Sequence, residues 1–328
     1  MSPAEPTFSP ASANAPIAAV TGATGFIGRQ LVPVLARAGW RVRLLLRRDP
    51  VTPEWRHLRP EIVPGALGDG AALSRLVEDA TAVIHAAGLI KATSRRRFLE
   101  INRDGVAAIA GATRRLAPQA HFMLISSLAA REPQLSDYAA SKRAGETVAR
   151  ETLGPRLTVL RPPAVYGPGD RESLRLFRLA RQRLIPLLGS PDSRSALIHV
   201  HDLARLIVAL AGTVPSGGVY AAADARPEGY RWDELLAAAA RAVGNQAPRL
   251  VRAPGVLLRA TALAGDLAGL LGAASLVNSQ KLRELRHPDW SVAPAELAHV
   301  AGWAPAFDLD AGFADTVAWY RNAGWLPA

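Results

Sequence analysis

Cysteine is absent from the 328-residue chain. Its absence excludes disulfides, thiolate nucleophiles and Cys-bound metal centres, and it fits a reducing compartment, so the cytoplasm is the expected location. Lysine is scarce as well, with Lys91, Lys142 and Lys281 the only three. The net charge of +11 is therefore carried by arginines spread along the chain, densest in short clusters such as SRRRF at 94–98. Cationic surfaces attract phosphate backbones. A charge scattered in this way marks no continuous track, however, and no nucleic-acid partner is expected. An anionic cofactor, an acidic membrane surface or solubility would each account for it. A long charge-free apolar run is missing too. The most apolar segment, APGVLLRATALAGDLAGLLGAASLV at 253–277, is interrupted by Arg259 and Asp266, which argues against a span of about 18 residues. A buried helix pair is expected there, with an apolar lid or peripheral membrane contact less favoured. Residues 1–15, MSPAEPTFSPASANA, lack the basic start and apolar run of a signal peptide and are expected to be a disordered tail.

What is present is a regular alternation. Short runs rich in Val, Ile and Leu occur at 16–22, 40–48, 61–67, 82–88, 121–127 and 156–162, too short for helices and apolar enough for strands buried on both faces. Helical patterns lie between them at 26–39, 71–80, 94–117 and 137–153. Such alternation implies parallel strands joined by right-handed crossovers, hence an α/β doubly wound sheet. Pro33 falls inside the first helical pattern, where a lost backbone hydrogen bond and a kink are expected. After residue 167 the rhythm changes. ALIHVHDLARLIVALAG (196–212) suggests a strand entering a helix, GVYAAAD (218–224) a strand, and RWDELLAAAARAVG (231–244) a helix. The expected organisation is a nucleotide-binding domain over 16–167, to which parts of 195–225 return, and a smaller, mainly helical substrate lobe over 168–328.

Several stretches carry chemistry. VTGATGFIG places Gly22, Gly25 and Gly28 where the first strand meets the first helix. Glycine there lets the backbone turn tightly and approach a pyrophosphate held at the positive helix end, the pattern of a Rossmann-type dinucleotide site. Thr24, Phe26 and Ile27 lie in the same turn. At the end of the second strand stand Arg47, Arg48 and Asp49. The guanidinium groups favour NADP(H), whose extra phosphate they pair with, while Asp49 leaves NAD(H) open through the ribose hydroxyls. Asp69, after the third strand, is expected either to contact the adenine or to cap the next helix. HAAG at 85–88 ends the fourth strand with Ala86, Ala87 and Gly88, small enough for a cofactor to pass over the backbone, and His85 is expected to be packed rather than catalytic.

A further stretch, DYAASKRAGE, sets Tyr138 four residues before Lys142. With so few of either residue, that spacing arises by chance about 0.05 times in such a chain, and four residues apart puts both on one helix face. An ammonium beside a phenol favours the phenolate and is expected to lower the tyrosine's pKa, making it a general acid or base. ISS at 125–127 delivers Ser126 and Ser127 to the same carboxyl edge of the sheet, where one is expected to hydrogen-bond the substrate oxygen.

TGATGFIG, HAAG, EIN, ISS, YAASK, RPPAVYGPGD and HVHDLA, in this order, resemble the short-chain dehydrogenase/reductases of the extended branch that includes the NAD-dependent epimerase/dehydratase group. The resemblance implies that Tyr138 is the acid/base, that Lys142 binds the ribose and tunes it, that Ser127 polarises the substrate with Ser126 as alternative, and that Asn102 supports a proton relay. It also implies that Pro162, Ala164 and Val165 hold the nicotinamide and that helices around 94–117 and 137–153 could form a homodimer. Leu128 and Ala129 replace the acidic pair of the dehydratases, and Ser195, with Arg194 one place off, replaces the arginine of sugar-nucleotide epimerases. The remaining pattern is closer to dihydroflavonol reductases and 3-beta-hydroxysteroid dehydrogenases. The expected activity is that of an NAD(P)-dependent oxidoreductase acting on a carbonyl or secondary alcohol of an apolar small molecule. A nucleotide-sugar epimerase and a non-catalytic NAD(P)-binding subunit or sensor are the alternatives. No metal site is expected.

Overall fold

Successive side chains of the first strand, β1 (Ile17–Thr21), enter two different cores. Ala18 and Val20 face one side of the sheet, Ile17 and Ala19 the other, as the period of two requires. A strand apolar at every position is therefore buried on both faces. The computed structural model describes residues 14–48, 58–187, 193–252 and 279–327, with positions 12 and 55. Most of the expected tail, Asp49 and the 253–277 segment lie outside the described residues.

The chain continues through α1 (Phe26–Arg37), β2 (Arg41–Leu46), β3 (Glu61–Pro64), α2 (Gly70–Val77), β4 (Ala82–His85), α3 (Arg95–Leu99), α4 (Gly105–Leu116), β5 (His121–Ile125), α5 (Asp137–Leu153), β6 (Leu157–Arg161) and β7 (Ala164–Tyr166). It then forms α6 (Leu174–Ala180), β8 (Leu184–Leu187), β9 (Arg194–Ser195), β10 (Leu197–His199), α7 (Val200–Ala211), β11 (Val219–Ala221), β12 (Tyr230–Arg231), α8 (Trp232–Val243) and β13 (Arg249–Arg252). After residue 278 come α9 (Ser279–Arg286), β14 (Asp289–Trp290) and α10 (Leu309–Asn322).

Seven parallel strands form the main sheet in the order β11-β6-β5-β4-β1-β2-β3. The fold is a Rossmann-type doubly wound sheet. On one face α1 and α7 bury Leu31, Leu35, Leu203 and Ile207 against Val20, Leu44 and Ile84. On the other, α2, α4 and α5 bury Leu73, Leu76, Ile109 and Leu153 against Val83, Phe122 and Val159. Each such aliphatic side chain contributes about 1.5–3 kcal/mol by leaving water. Pro33 sits inside α1 without ending it.

The helix expected across 94–117 is divided. Between α3 and α4, Glu100–Asp104 forms one π-helical turn. The wider turn changes which side chains face the sheet edge, and such turns recur at functional sites; here it carries Asn102, which is buried.

A further core lies beyond the carboxyl ends of the strands. Tyr166, Phe177, Phe313 and Tyr320 pack edge to face at ring separations of 5.0–5.7 Å, joined by Leu236 and Val317. Small pairings complete it: β12-β9-β14 and β13-β8. The chain also returns to the main sheet through β11, and α7 packs on α1.

Candidate active site

The strand order reverses direction at β1 and β4, which places a crevice at their carboxyl ends. Gly22 leaves β1 at φ +76°, a conformation that favours glycine. A Cβ on it would lie 2.5 Å from the backbone of Ala86 and Ala87 at the end of β4. A Cβ on Gly28 would lie 2.2 Å from the Gly22 carbonyl oxygen. The turn and the helix are thus pressed together at a spacing only glycine permits. Gly25 is the N-cap of α1, and no side chain caps that end. Thr24 and Gly25 are exposed and Phe26 and Ile27 partly so. An exposed turn at an uncapped helix N-terminus fits a diphosphate, because its amides and the helix dipole favour negative charge.

Around that crevice the other expected positions divide. Arg47 and Arg48 stand exposed just past β2. Asp69 is the cap of α2, its carboxylate accepting from the Ala72 amide at 3.0 Å. His85 is fully buried, its Nδ1 2.8 Å from the Thr21 hydroxyl, and burial followed by the Lys142 charge pushes its pKa down to about 3. It is a neutral packed side chain. Ala86 and Ala87 are partly buried and Gly88 is exposed. Pro162 is buried, its carbonyl accepting from the Leu128 amide at 2.8 Å, while Ala164 is exposed and Val165 half-buried.

Asn102 spends its side chain on structure. Its Oδ1 accepts from the Leu89 amide at 2.8 Å, and its Nδ2 donates to the Leu89 carbonyl and the Ser141 hydroxyl, both at 2.9 Å. The loop after β4 is clamped to α5 in this way. The position of a Cβ on Gly88 is 3.1 Å from Asn102 Oδ1 and 3.7 Å from Lys142 Nζ, so both side chains converge on that glycine.

The two serines part company. Ser126 donates to Glu146 at 2.5 Å, and Arg161 grips the same carboxylate through two bonds of 2.9 and 2.6 Å. Ser127 instead accepts from the Ala129 amide at 3.2 Å and acts on Tyr138, drawing its pKa down. Of the two, Ser127 is the one beside the phenol. Tyr138 lies in the first turn of α5, capped by Ser136, with its ring 6.1 Å from that of Phe98. Lys142, one turn on and buried, donates to the Ile125 carbonyl at 2.8 Å.

The expected drop in the tyrosine's pKa is not what the structure gives. Burial pushes Tyr138 up to about 12, with Ser127 lowering it and Glu284 raising it further. Lys142 is itself pushed down to about 8 by burial, against the opposing pull of Glu146. Spacing along a helix reveals the attraction between an ammonium and a phenolate but not the desolvation that both suffer in the same cleft. Its ammonium is aimed at the Ile125 carbonyl. The resting site therefore holds a protonated phenol, a proton donor.

Glu146, Ser141 and Glu284 are not among the positions the sequence pointed to. Glu146 carried a signal, since it continues the one-face series Tyr138, Lys142, Glu146 at intervals of four. Two other features lie apart from the site. A cleft of about 630 Å³ in the second lobe is lined by Arg226, Tyr230, Glu234, Arg241 and Asp308 and by none of the catalytic candidates. His199, His201 and Asp315 bring ligand-type atoms within 4.8 Å of one another. His199 Nδ1, however, accepts from the His201 amide at 3.4 Å, which leaves the proton on Nε2, facing Asp315 at 3.3 Å.

The sequence pattern of the NAD dependent epimerase/dehydratase family matches residues 18–223. The chain belongs to that family. It is 49% identical to the ceramide reductase of Caulobacter vibrioides (strain NA1000 / CB15N) over 95% of this chain and 96% of that protein. It is 31% identical over 67% of its length, and 62% of the other's, to NADH dehydrogenase [ubiquinone] 1 alpha subcomplex subunit 9, mitochondrial, of Dictyostelium discoideum. The fold is that of MoeE5 in complex with UDP-glucuronic acid and NAD, with a TM-score of 0.66 at 20% identity, covering 94% of this chain and 99% of that one. As a member of the epimerase/dehydratase family with a reductase as a near relative, the protein is an NAD(P)-dependent oxidoreductase acting on a small molecule. Among its described residues no helix is long and apolar enough to cross a membrane.

Proposed function

We propose that the protein reduces a ketone on a long-chain, amide-bearing lipid of the ceramide class, with NADPH as the hydride source. The observation that carries this reading is the convergence of Lys142, Asn102 and the glycine turn on the carboxyl edge of the sheet, where Tyr138 stands one turn before Lys142 and beside Ser127, which draws its pKa down. The substrate class is supported by the 49% identity to a ceramide reductase along nearly the whole of both chains. The preference for NADPH is supported by exposed Arg47 and Arg48 at the end of β2.

In this reading the turn from Gly22 to Gly28 would cradle the diphosphate through the amides of Gly22, Thr24, Phe26, Ile27 and Gly28, the Gly25 amide closing the turn on the Gly22 carbonyl at 2.9 Å, and Arg47 and Arg48 would pair with the 2′-phosphate. Asp69 shapes the adenine side through its cap, Ala86, Ala87 and Gly88 let the cofactor pass, Lys142 holds the ribose, and Pro162, Ala164 and Val165 flank the nicotinamide. NADPH, when bound, would supply the hydride that reduces the carbonyl carbon. Ser127 donates a hydrogen bond to the carbonyl oxygen, and Tyr138 gives its proton to that oxygen as the carbonyl π pair moves onto it. Asn102 keeps the Leu89 loop and α5 in register while solvent protons return to the phenolate. On the same reading the protein acts in the cytoplasm as a homodimer packed through α4 and α5, which sedimentation velocity tests.

The experiment is a two-part assay. Fluorescence titration with NADPH and NADH is expected to show tighter binding of NADPH, a preference lost in the Arg47→Ala, Arg48→Ala double variant. NADPH consumption is then followed with a short-chain N-acyl 3-ketosphinganine and with UDP-glucose. Turnover of the ketone supports the proposal. Interconversion of the UDP-sugar with no attack on the ketone would overturn it in favour of the epimerase.

A further inference from the structure

The catalytic helix does not begin in isolation. Three residues on one face of α9, spaced i, i+3 and i+4, grip the first turn of α5. Gln280 accepts from the Asp137 amide at 2.8 Å and donates back to the Asp137 carboxylate at 2.8 Å. Arg283 donates to the Leu135 carbonyl at 3.0 Å. Glu284, buried, accepts from the hydroxyl of Ser136, the N-cap of α5, and Trp290 donates to the Glu284 carbonyl at 2.9 Å. Its carboxylate is thus fixed at the N-cap while Tyr138 lies two residues inside the helix. Capping alone does not require a carboxylate there, because Ser136 already accepts from the Ala139 amide at 3.0 Å.

We propose that Glu284 is a positioning residue, a carboxylate supplied by α9 at the N-cap of the catalytic helix that adds to burial in opposing the ionisation of Tyr138. This rests on the reductase reading above. The charges around the pair act on both sides. On α9, Lys281 meets the second Glu284 oxygen at 3.0 Å, and Arg283 lies one residue before it. From α5 come Asp137 and the buried Lys142, from α3 comes Arg95 at 3.9 Å from Asp137, and beside Trp290 stand His287 and Arg131. The Glu284 charge opposes ionisation of the phenol, in agreement with the upward push it gives Tyr138. A helix that had only a packing role would leave that balance untouched.

The test is the pH profile of NADP⁺-linked oxidation of N-octanoyl sphinganine, which requires the phenolate and therefore rises with pH along an acid limb. Glu284→Gln is expected to move that limb to lower pH by about half a unit or more, so that oxidation at any pH on the limb is about threefold faster. Glu284→Asp, which keeps the charge, is expected to stay on the wild-type limb. Lys281→Gln, at a largely solvent-facing head group, removes a cation from the carboxylate and is expected to move the limb the opposite way. Limbs of Glu284→Gln and Lys281→Gln that coincide with wild type would overturn the role of Glu284 while leaving the reductase standing. Should Glu284→Gln not fold, the Lys281→Gln limb decides alone. Absence of NADP⁺-linked turnover by the wild-type protein would overturn both.

Discussion

The first turn of α5 and its interior, at Glu146, are held in different ways. Toward the sheet, Glu146 is almost wholly buried and joins Ser126 at the end of β5 to Arg161 at the end of β6. At the N-terminal turn, Ser136 and Asp137 are gripped by Gln280 and Glu284 of α9. The interior uses a carboxylate and a guanidinium with their hydrogen bonds satisfied, an arrangement that is costly to break once buried. The first turn uses the buried Ser136–Glu284 bond and the part-buried Gln280–Asp137 pair, without a guanidinium on the carboxylate. Tyr138 and Lys142 stand between them, so the fixed sheet registers the helix and α9 adjusts its first turn. The geometry of the chemistry belongs to one region and its proton balance to both.

Substitutions along α5 separate these contributions, beginning with the largest. Tyr138→Phe keeps the ring contact with Phe98 but removes the proton donor, and ketone reduction is expected to fall about 10²–10⁴-fold with NADPH affinity unchanged, as read by steady-state rates and cofactor titration. Glu146→Ala strands the Arg161 guanidinium and is expected to cost about 3–5 kcal/mol, measured by urea unfolding. The same assay on Gln280→Ala, at the first turn, is expected to show only about 1 kcal/mol. If the two losses were equal, the contrast between the first turn and the interior would be wrong.

The pH dependence of stability tests the middle of the helix. Lys142 titrates near 8 in the folded protein, against its ordinary value of 10.5. Between these values the unfolded chain holds a proton that the folded chain has released, so raising the pH through this window adds stability from this group. Tyr138 acts with the opposite sign, because its folded value of about 12 lies above its ordinary 10 and stability is lost between them. Lys142→Met is expected to flatten the rise above pH 8 in unfolding free energy. The smallest effect belongs to Arg96→Ala, whose exposed pairing with Glu100 at 3.5 Å is expected to contribute less than about 0.5 kcal/mol.

The same contrast explains what could be seen in the sequence. Elements of the first 165 residues follow local rules: apolar runs at every position for strands buried on both faces, glycines at the β1–α1 turn, Tyr138 and Lys142 one turn apart. Each signal lies within a few residues of its consequence. The preference for Ser127 over Ser126 comes, in sequence, from family resemblance alone, and its physical reason appears only when Glu146 and Arg161 are seen to occupy Ser126. The split at Glu100–Asp104 left no mark in the hydrophobic pattern. Glu284 meets Ser136 across 148 residues, and nothing local to either announces the other. The direction of the Tyr138 shift is hidden for a related cause, since burial depends on what the folded chain packs over the site.

Net reduction requires that hydride move from the nicotinamide to a carbonyl carbon and stay there. The most direct measurement uses wild-type protein, NADPH deuterated at the transferable C4 position and a short-chain N-acyl 3-ketosphinganine, with the product analysed by mass spectrometry and NMR. One deuterium at the new carbinol carbon and one equivalent of NADP⁺ per alcohol formed are expected. Alcohol formed without deuterium at that carbon, or NADPH left unconsumed while a sugar nucleotide is interconverted, would rule out this direct transfer.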